Sequence, residues 1–525
     1  LFQKWDHPNM PGAAIGVIQN GKMLYSKGYG LANLEHNVPN TSQTAFEISS
    51  NSKQFTAACI VLLSQQGKLD LDQSLSSIFP DFPAYAKTIS IKNLLYHTSG
   101  LRDYAQITYL SGTRPNDYYD DDDVMKWIKG QKKLNYPSGE KYLYSNSGYW
   151  LLGQIVQKVS GMSLAKFAQK EIFEPLKMSN TSFFDDNSMI IKNRAATYSA
   201  SRSGAFLNLL STEEVVGDGG VYTTVEDIKK WDDEFYDQKV LNASFWKLMT
   251  TQGVLNNGKT ITYAGALEIK EYKGLKTIDH GGRGAGSWSD IIRFPEQKFT
   301  VIVLTNRSDA VATPLGYQIA DLFLKKEFKK STEKKTPKRK INTITLSNKT
   351  LQKYVASYWN SKVKSSRKVY LEKNTLIYKR GPGSIHPLAA ISKHEFKVLG
   401  TPPFIVAFVK FIKVGNTYKL MTTENGGEGV PFEVYTPKVY SKKELHSFLG
   451  NYYSEEIDSY YEFKMEEGKI RLYINGRKTV VLRHKKDALF TSPMCDFEFK
   501  KRNQLIDGVT ISTSRVKNVH FKRVN

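Results

Sequence analysis

Residues 46–57 read FEISSNSKQFTA, a stretch that places Ser50 and Lys53 three positions apart. On a helix that spacing puts the two side chains on one face. A serine hydroxyl becomes an effective nucleophile when a base takes its proton, and a lysine amine can be that base if burial lowers its pKa. The apolar residues 57–63 extend the same helix into a core. We therefore predict Ser50 as a nucleophile at the amino end of a helix, where backbone N–H groups and the helix dipole favour a developing oxyanion.

A Ser-x-x-Lys pair alone is weak evidence, because the chain contains others. Among them are Ser138–Lys141, Ser331–Lys334, Ser361–Lys364 and Ser365–Lys368. We interpret most such pairs as solvated serines and lysines. Ser50 differs from them because a Tyr-x-Asn motif at residues 144–146 and the one His-x-Gly motif of the sequence, at residues 280–282, follow it in the chain.

Six segments in chain order carry a resemblance to a known family. They are residues 11–14 with 28–30, 46–57, 94–101, 137–149, 219–224 and 279–282. On these segments, residues 1–324 resemble the β-lactamase-related serine hydrolases of the class C type. That family includes D-aminopeptidases, DD-carboxypeptidases and carboxylesterases, and the Ser-x-x-Lys signature is typical of β-lactamases and penicillin-binding proteins.

The resemblance implies a catalytic group made of Ser50, Lys53, Tyr144 and His280. Ser50 would attack a carbonyl to form an acyl-enzyme that water then hydrolyses, and Lys53 and Tyr144 would share the proton transfers. Either of these two could be the general base, and the sequence leaves that choice open. No metal or cofactor is expected.

Substrate binding is assigned by the same resemblance to a second set of residues. They are Asn146, Gly281, Gly282 and Arg283. The oxyanion would be held by the backbone N–H groups of Ser50 and Arg283, and Asn146 would bind the substrate amide.

His280 stands where class C β-lactamases have the lysine of a Lys-Thr-Gly triplet. Lysine there is a permanent positive charge, whereas histidine is mostly neutral at neutral pH. We therefore expect a hydrolase of amide or peptide substrates containing D-amino acids, similar to D-aminopeptidases or DD-carboxypeptidases, with His280 polarising Tyr144 or contacting the substrate. The alternatives are a carboxylesterase or weak β-lactamase, and a non-catalytic penicillin-binding sensor.

Strand and turn patterns at both ends of residues 1–324 predict one antiparallel sheet. Apolar residues 13–17 and 23–29 flank Asn20-Gly21, a strong hairpin signal. Residues 289–294 and 299–305 form a second apolar strand pair. Helical patterns lie between these pairs, so we expect an α+β domain of the β-lactamase/DD-peptidase type, with the catalytic groups in a cleft between the sheet and a helical insertion.

The C-terminal part contains a weak internal repeat, in which Tyr354 and Tyr358 correspond to Phe448 and Tyr452, 94 residues later. Both copies continue as short alternating strands rich in aromatic residues, which predicts two small antiparallel β-barrels. They resemble the lipocalin-like barrels that some D-aminopeptidases carry. The predicted domains are the hydrolase domain 1–324, a basic linker 325–340, and the barrels 341–438 and 439–525.

The net charge of +23 lies entirely in the C-terminal part. Residues 1–324 contain 33 basic and 33 acidic side chains, and residues 325–525 contain 41 and 18. This asymmetry favours an anionic envelope surface as a partner, beside the small peptide or ester substrate. No nucleic-acid motif is present, so no nucleic acid is expected.

The resemblance implies a periplasmic or secreted location. The sequence leaves the oligomeric state open.

Overall fold

The computed structural model describes residues 1–114, 117–201, 204–209, 214–329, 342–381, 384–401, 405–503 and 505–524. Most of the predicted linker 325–340 and the Ser331–Lys334 pair therefore lie outside the described residues. The chain separates into two compact units. The first comprises Leu1–Ser331, Tyr453–Tyr460 and Ser512–Phe521, and the second comprises Thr332–Tyr452, Tyr461–Ile511 and Lys522–Asn525.

A six-stranded antiparallel sheet forms the centre of the first unit. Its strands, in order across the sheet, are Glu268–Tyr272, Leu275–Arg283, Trp288–Phe294, Phe299–Thr305, Ala13–Gln19 and Lys22–Tyr29. The first strand of the chain pairs with the last, so that Ala13 lies opposite Thr305. Asn20 and Gly21 adopt φ values of 51° and 72°, as a two-residue hairpin turn of type I′ requires. The predicted sheet is confirmed.

Helices occupy the sequence between these strands. Those of the first unit are Lys53–Gln65, Leu75–Ile78, Ile91–Leu95, Tyr104–Ser111, Asp121–Lys129, Asn146–Ser160, Leu164–Ala168, Val225–Asp237, Ala243–Thr250 and Ala312–Phe323. Short strands accompany them: Leu31–Asn33, Val38–Pro39, Phe46–Glu47, Ser182–Phe183, Thr197–Ala200, Phe206–Leu209 and Val221–Thr223. Helix Lys53–Gln65 is buried along most of its length and packs against helix Asn146–Ser160. Within the described part of the chain, no helix combines the length and apolarity needed to span a bilayer.

The segment Tyr453–Tyr460 joins the first unit through a buried ion pair. The Glu456 carboxylate contacts the Arg102 guanidinium, and both side chains are less than a tenth exposed. The same carboxylate accepts a hydrogen bond of 2.8 Å from the backbone N–H of Lys132. Removing one partner of such a pair leaves a charge buried without compensation, so the segment is an integral part of this unit.

The second unit begins with a closed antiparallel barrel of eight strands. They are Ala356–Asn360, Ser365–Glu372, Thr375–Gly381, Ser384–Ala390, Glu395–Val398, Ala407–Val414, Thr417–Glu424 and Val430–Tyr435. A short helix, Asn348–Leu351, precedes the barrel. Alternate side chains along the strands fill its interior, as the buried Val409, Phe411 and Phe432 show.

A nine-stranded antiparallel sheet follows helix Lys442–His446. In chain order its strands are Gly450–Ser454, Ser459–Glu466, Lys469–Ile474, Arg477–Val481, Arg483–Lys486, Leu489–Thr491, Asp496–Arg502, Leu505–Ser512 and Val519–Val524. The fourth and fifth of these are the two edges of the sheet, which makes it a nearly closed barrel. The two predicted C-terminal barrels are confirmed.

The predicted repeat is visible in a shared hydrogen bond. The Tyr358 hydroxyl donates to the Tyr354 carbonyl at 2.8 Å, and the Tyr452 hydroxyl donates to the Phe448 carbonyl at 3.0 Å. Both donor tyrosines are fully buried. A buried hydroxyl needs such a partner, so the two copies satisfy the same requirement in the same way.

Candidate active site

Ser50 lies in a 3₁₀ turn, Ser49–Ser52, immediately before helix Lys53–Gln65 rather than inside that helix. Ser49 has a φ of 49°, in the left-handed region that costs energy for a residue with a Cβ atom. The Glu47 carboxylate holds this conformation, since it accepts hydrogen bonds from the Ser49 backbone N–H at 2.9 Å and from the Ser49 hydroxyl at 3.1 Å. Ser50 therefore sits on a constrained turn.

The Lys53 amine is directed at Ser50. Its Nζ donates to Ser50 Oγ at 3.1 Å, to Asn146 Oδ1 at 3.0 Å and to the Asp218 carbonyl oxygen at 2.5 Å. Burial lowers the pKa of Lys53 to about 8, although the carboxylates of Asp218 and Asp103 act in the opposite direction. The side chain is fully buried, so this amine loses its proton at a lower pH than an exposed lysine does.

Tyr144 lies beside the same amine, with Lys53 Nζ 5.0 Å from the centre of its ring. Its hydroxyl is buried next to Ser50. Burial raises the pKa of Tyr144 above its usual value, and Ser50 and Arg515 only partly oppose that shift. Tyr144 is therefore a neutral phenol at neutral pH.

His280 is buried and is held by two partners. Its Nδ1 lies 2.8 Å from the Gly281 carbonyl oxygen, and its Nε2 lies 3.0 Å from the Tyr263 hydroxyl. A carbonyl only accepts, so Nδ1 donates, and Nε2 accepts from Tyr263. Burial lowers the pKa of His280 to about 3, which keeps the ring neutral. Its ring centre is 6.1 Å from that of Tyr144, and its hydrogen bond goes to Tyr263 instead.

The predicted oxyanion residues meet at one cavity of about 520 Å³, which Ser50, Asn146 and Arg283 line. Gly281 and Gly282 precede Arg283 on strand Leu275–Arg283. A Cβ atom on Gly282 would lie 2.1 Å from the Ile48 carbonyl oxygen, so only glycine lets this strand approach the Ser50 turn.

Three acidic residues at the site were not among the predicted ones. Glu47 and Asp218 line the cavity, and Asp103 accepts a 3.0 Å hydrogen bond from the backbone N–H of Asn146, at the start of helix Asn146–Ser160. Burial raises the pKa of Asp218 to about 6. Glu47 lies within residues 46–57, the stretch that contains Ser50, and Asp218 directly precedes Gly219-Gly220. Because both residues adjoin motifs of the sequence, their positions could have indicated a role in the site.

Two further residues were also missed. Tyr263 binds His280, and Arg515 lies over the Tyr144 ring, with its guanidinium carbon 4.7 Å from the ring centre. Neither residue belongs to a motif of the resembling family. Their roles depend on contacts between positions that are distant in the chain, which no local pattern reveals.

Comparison with known proteins agrees with this geometry. Residues 1–322 match the Beta-lactamase family. A D-aminopeptidase of Gluconobacter oxydans is 26% identical over 57% of this chain and 56% of that protein. Protein flp of Staphylococcus aureus is 31% identical over 57% of this chain and 60% of its own length. The chain thus spans less than two thirds of the length of each of these two relatives.

Among solved structures, the octameric penicillin-binding protein homologue from Pyrococcus abyssi superposes with a TM-score of 0.56 at 23% identity, covering 81% of this chain and 96% of the other. At that identity the likeness shows the fold alone. The antiparallel sheet with its helices and the sequence relatives together define residues 1–322 as a domain of the β-lactamase class. The match over residues 1–322 shows that the chain belongs to the Beta-lactamase family.

Proposed function

We propose that this protein hydrolyses amide bonds in peptides that contain D-amino acids, through an acyl-enzyme on Ser50. The observation that carries the proposal is the 3.1 Å contact between Lys53 Nζ and Ser50 Oγ at the edge of an open cavity. A serine and a buried amine in hydrogen-bond contact are the arrangement that nucleophilic catalysis requires. The D-aminopeptidase among the relatives favours D-amino acids as substrates.

Lys53 is the general base in this proposal. Its pKa of about 8 makes a neutral amine accessible near neutral pH, whereas the raised pKa of Tyr144 makes a phenolate inaccessible. Lys53 takes the Ser50 proton as Oγ attacks the carbonyl carbon. The Tyr144 phenol then passes a proton to the leaving nitrogen while it regains one from Lys53, so that no phenolate has to form.

The remaining predicted residues, apart from His280, bind the substrate. The backbone N–H groups of Ser50 and Arg283 stabilise the oxyanion, and donors placed in this way typically account for several kcal/mol of the barrier. Asn146 Oδ1 accepts a hydrogen bond from Lys53 Nζ, which leaves the amide nitrogen of Asn146 to bind a substrate carbonyl. His280 does not bind the substrate directly. It accepts a hydrogen bond from the Tyr263 hydroxyl at Nε2 and positions that side chain.

The first prediction tests the substrate class. We expect mass spectrometry of the full chain to show an acyl adduct on Ser50, and turnover, with D-aminoacyl amides or D-Ala-D-Ala peptides. Short esters and penicillins serve as the comparison in the same panel. Turnover of esters alone would assign the protein to the carboxylesterases, and turnover of penicillins alone to weak β-lactamases. Binding of penicillin without any turnover in the panel would indicate a sensor.

We also propose that the basic C-terminal part binds an anionic surface outside the cytoplasm. The charge count carries this proposal, because the excess of basic over acidic side chains is confined to residues 325–525. Exposed charges act through a field that salt screens within about 10 Å at 0.1 M ionic strength. Full-length protein should therefore bind phosphatidylglycerol vesicles at low salt and be released as NaCl is raised.

Matched lysine substitutions give the control for this second prediction. Four exposed lysines from each part can be changed to glutamine: Lys349, Lys353, Lys413 and Lys522 in one variant, and Lys22, Lys68, Lys87 and Lys259 in the other. Only the first variant should lose affinity for the vesicles. Equal losses in both variants, or binding that salt does not weaken, would show that the C-terminal charge is not a docking surface.

A further inference from the structure

Arg515 reaches the active site from a segment more than three hundred residues beyond Tyr144. The segment Ser512–Phe521 belongs to the first compact unit. The Arg515 backbone N–H donates to Gln106 Oε1 at 2.9 Å, and its carbonyl oxygen accepts from Asn135 Nδ2 at 2.9 Å. The main chain at Arg515 is therefore fixed from both sides, and its side chain projects from a defined point.

The Arg515 guanidinium makes two contacts at the catalytic group. It lies over the face of Tyr144, and its Nη1 is 3.4 Å from Asp103 Oδ2. A cation over an aromatic face is attracted by the electrons of the ring. The same Asp103 oxygen accepts from the backbone N–H of Asn146, whose side chain holds Lys53. Arg515 is thus linked to Lys53 through two intervening residues.

The groups that face Lys53 explain why a cation matters at this position. They are the carboxylates of Asp103 and Asp218, the phenols of Tyr144 and Tyr149, the imidazoles of His97 and His280, and the guanidinium of Arg515. Burial lowers the pKa of both histidines, so they carry no charge at neutral pH. The two carboxylates favour the ammonium form of Lys53, and Arg515 opposes them.

We propose that Arg515 is a positioning residue of this active site, and that its guanidinium, held over Tyr144 and against Asp103, offsets the carboxylates that face Lys53. Arg515, in the C-terminal segment, supplies the positive charge at this site. His280, the first residue of the His-x-Gly motif, is neutral and supplies none. This inference rests on the proposed role of Lys53 as the base. Arg515 touches neither Ser50 nor Lys53, so its effect is on the proton affinity of Lys53.

The consequence is a change in pH dependence. With the Arg515 charge removed, Asp103 and Asp218 would act on Lys53 with less opposition, and its amine would hold its proton to higher pH. Acylation needs the neutral amine, so the pH profile of acylation would move in the alkaline direction. Because Arg515 is a third exposed and acts across an aromatic ring, we expect a shift of about 0.5 to 1 pH unit.

The experiment measures the rate at which a fluorophosphonate probe labels Ser50 between pH 6 and pH 10 in the full-length protein. Wild type should show a midpoint near pH 8, the pKa of Lys53. Arg515→Gln should move the midpoint to higher pH, and Arg515→Lys, which keeps the charge, should restore most of the wild-type profile. Arg483→Gln removes an exposed arginine elsewhere in the C-terminal part and should leave the profile unchanged.

Two outcomes would overturn the inference while leaving the proposed function intact. One is a wild-type midpoint in Arg515→Gln, with thermal unfolding showing that the variant is folded. The other is an equal shift in Arg515→Lys and Arg515→Gln, because loss of packing rather than of charge would then be responsible. If Arg515→Gln does not fold, Arg515→Met, an uncharged and unbranched side chain, provides the same test. No labelling of wild type at any pH would overturn the role of Ser50 itself, and this inference with it.

Discussion

Replacing Ser50 by alanine is expected to abolish covalent labelling and to lower turnover of every cleaved substrate by about a million-fold, the loss typical of a missing nucleophilic serine. The reason is that Ser50 Oγ is the atom that receives the Lys53 hydrogen bond and lines the cavity. Without this atom no acyl-enzyme can form. What remains is the weaker catalysis that substrate binding and the oxyanion site provide.

The control for this variant comes from the other Ser-x-x-Lys pairs. Ser361 is exposed, and its partner in that pair, Lys364, binds Glu498 at 2.9 Å instead of the serine. Ser361→Ala should therefore keep full labelling and full turnover. Alanine at position 50 also leaves the Ser49 turn and its contacts with Glu47 in place, so thermal unfolding should change little. Labelling of Ser50→Ala at another serine would show that the nucleophile is elsewhere.

Lys53→Arg is expected to lower turnover by about 10²- to 10⁴-fold, the range that general acid–base catalysis contributes. Arginine keeps the positive charge but does not release its proton at any pH that a protein tolerates. The defect should therefore persist at alkaline pH, where wild type is most active because the pKa of Lys53 is about 8. Measurement of kcat/KM from pH 6 to pH 10 separates a missing base from a missing charge.

Folding is the main alternative explanation for such a loss, because Lys53 is fully buried and its Nζ makes three hydrogen bonds. Lys53→Met, an uncharged side chain of similar length, provides a second variant whose unfolding temperature can be compared with that of Lys53→Arg. Lys141→Arg, at an exposed lysine that pairs with Glu140 instead of Ser138, should behave as wild type. Near-normal turnover in a folded Lys53→Arg would show that Lys53 acts only through its charge.

Local features of the chain were sufficient to predict that Ser50 lies beside Lys53. Ser50 and Lys53 are three residues apart, so one helical turn, here the 3₁₀ turn that leads into helix Lys53–Gln65, brings them together. The Asn20-Gly21 turn and the apolar residues beside it likewise specify a hairpin through backbone geometry. The barrels followed from alternating strands and from a repeat of aromatic positions. These features depend only on short segments of the chain, so they can be predicted from the sequence.

The tertiary structure alone decided the protonation states and the charges around Ser50. The sequence left the choice between Lys53 and Tyr144 as the base open. Burial favours Lys53, since it lowers the pKa of an amine and raises that of a phenol. Arg515 came from the far end of the chain, and its position depends on contacts with Gln106 and Asn135. The pKa shifts and the position of Arg515 depend on groups that are distant in the chain. These groups exclude water from the site and lower its dielectric constant only when the chain is folded.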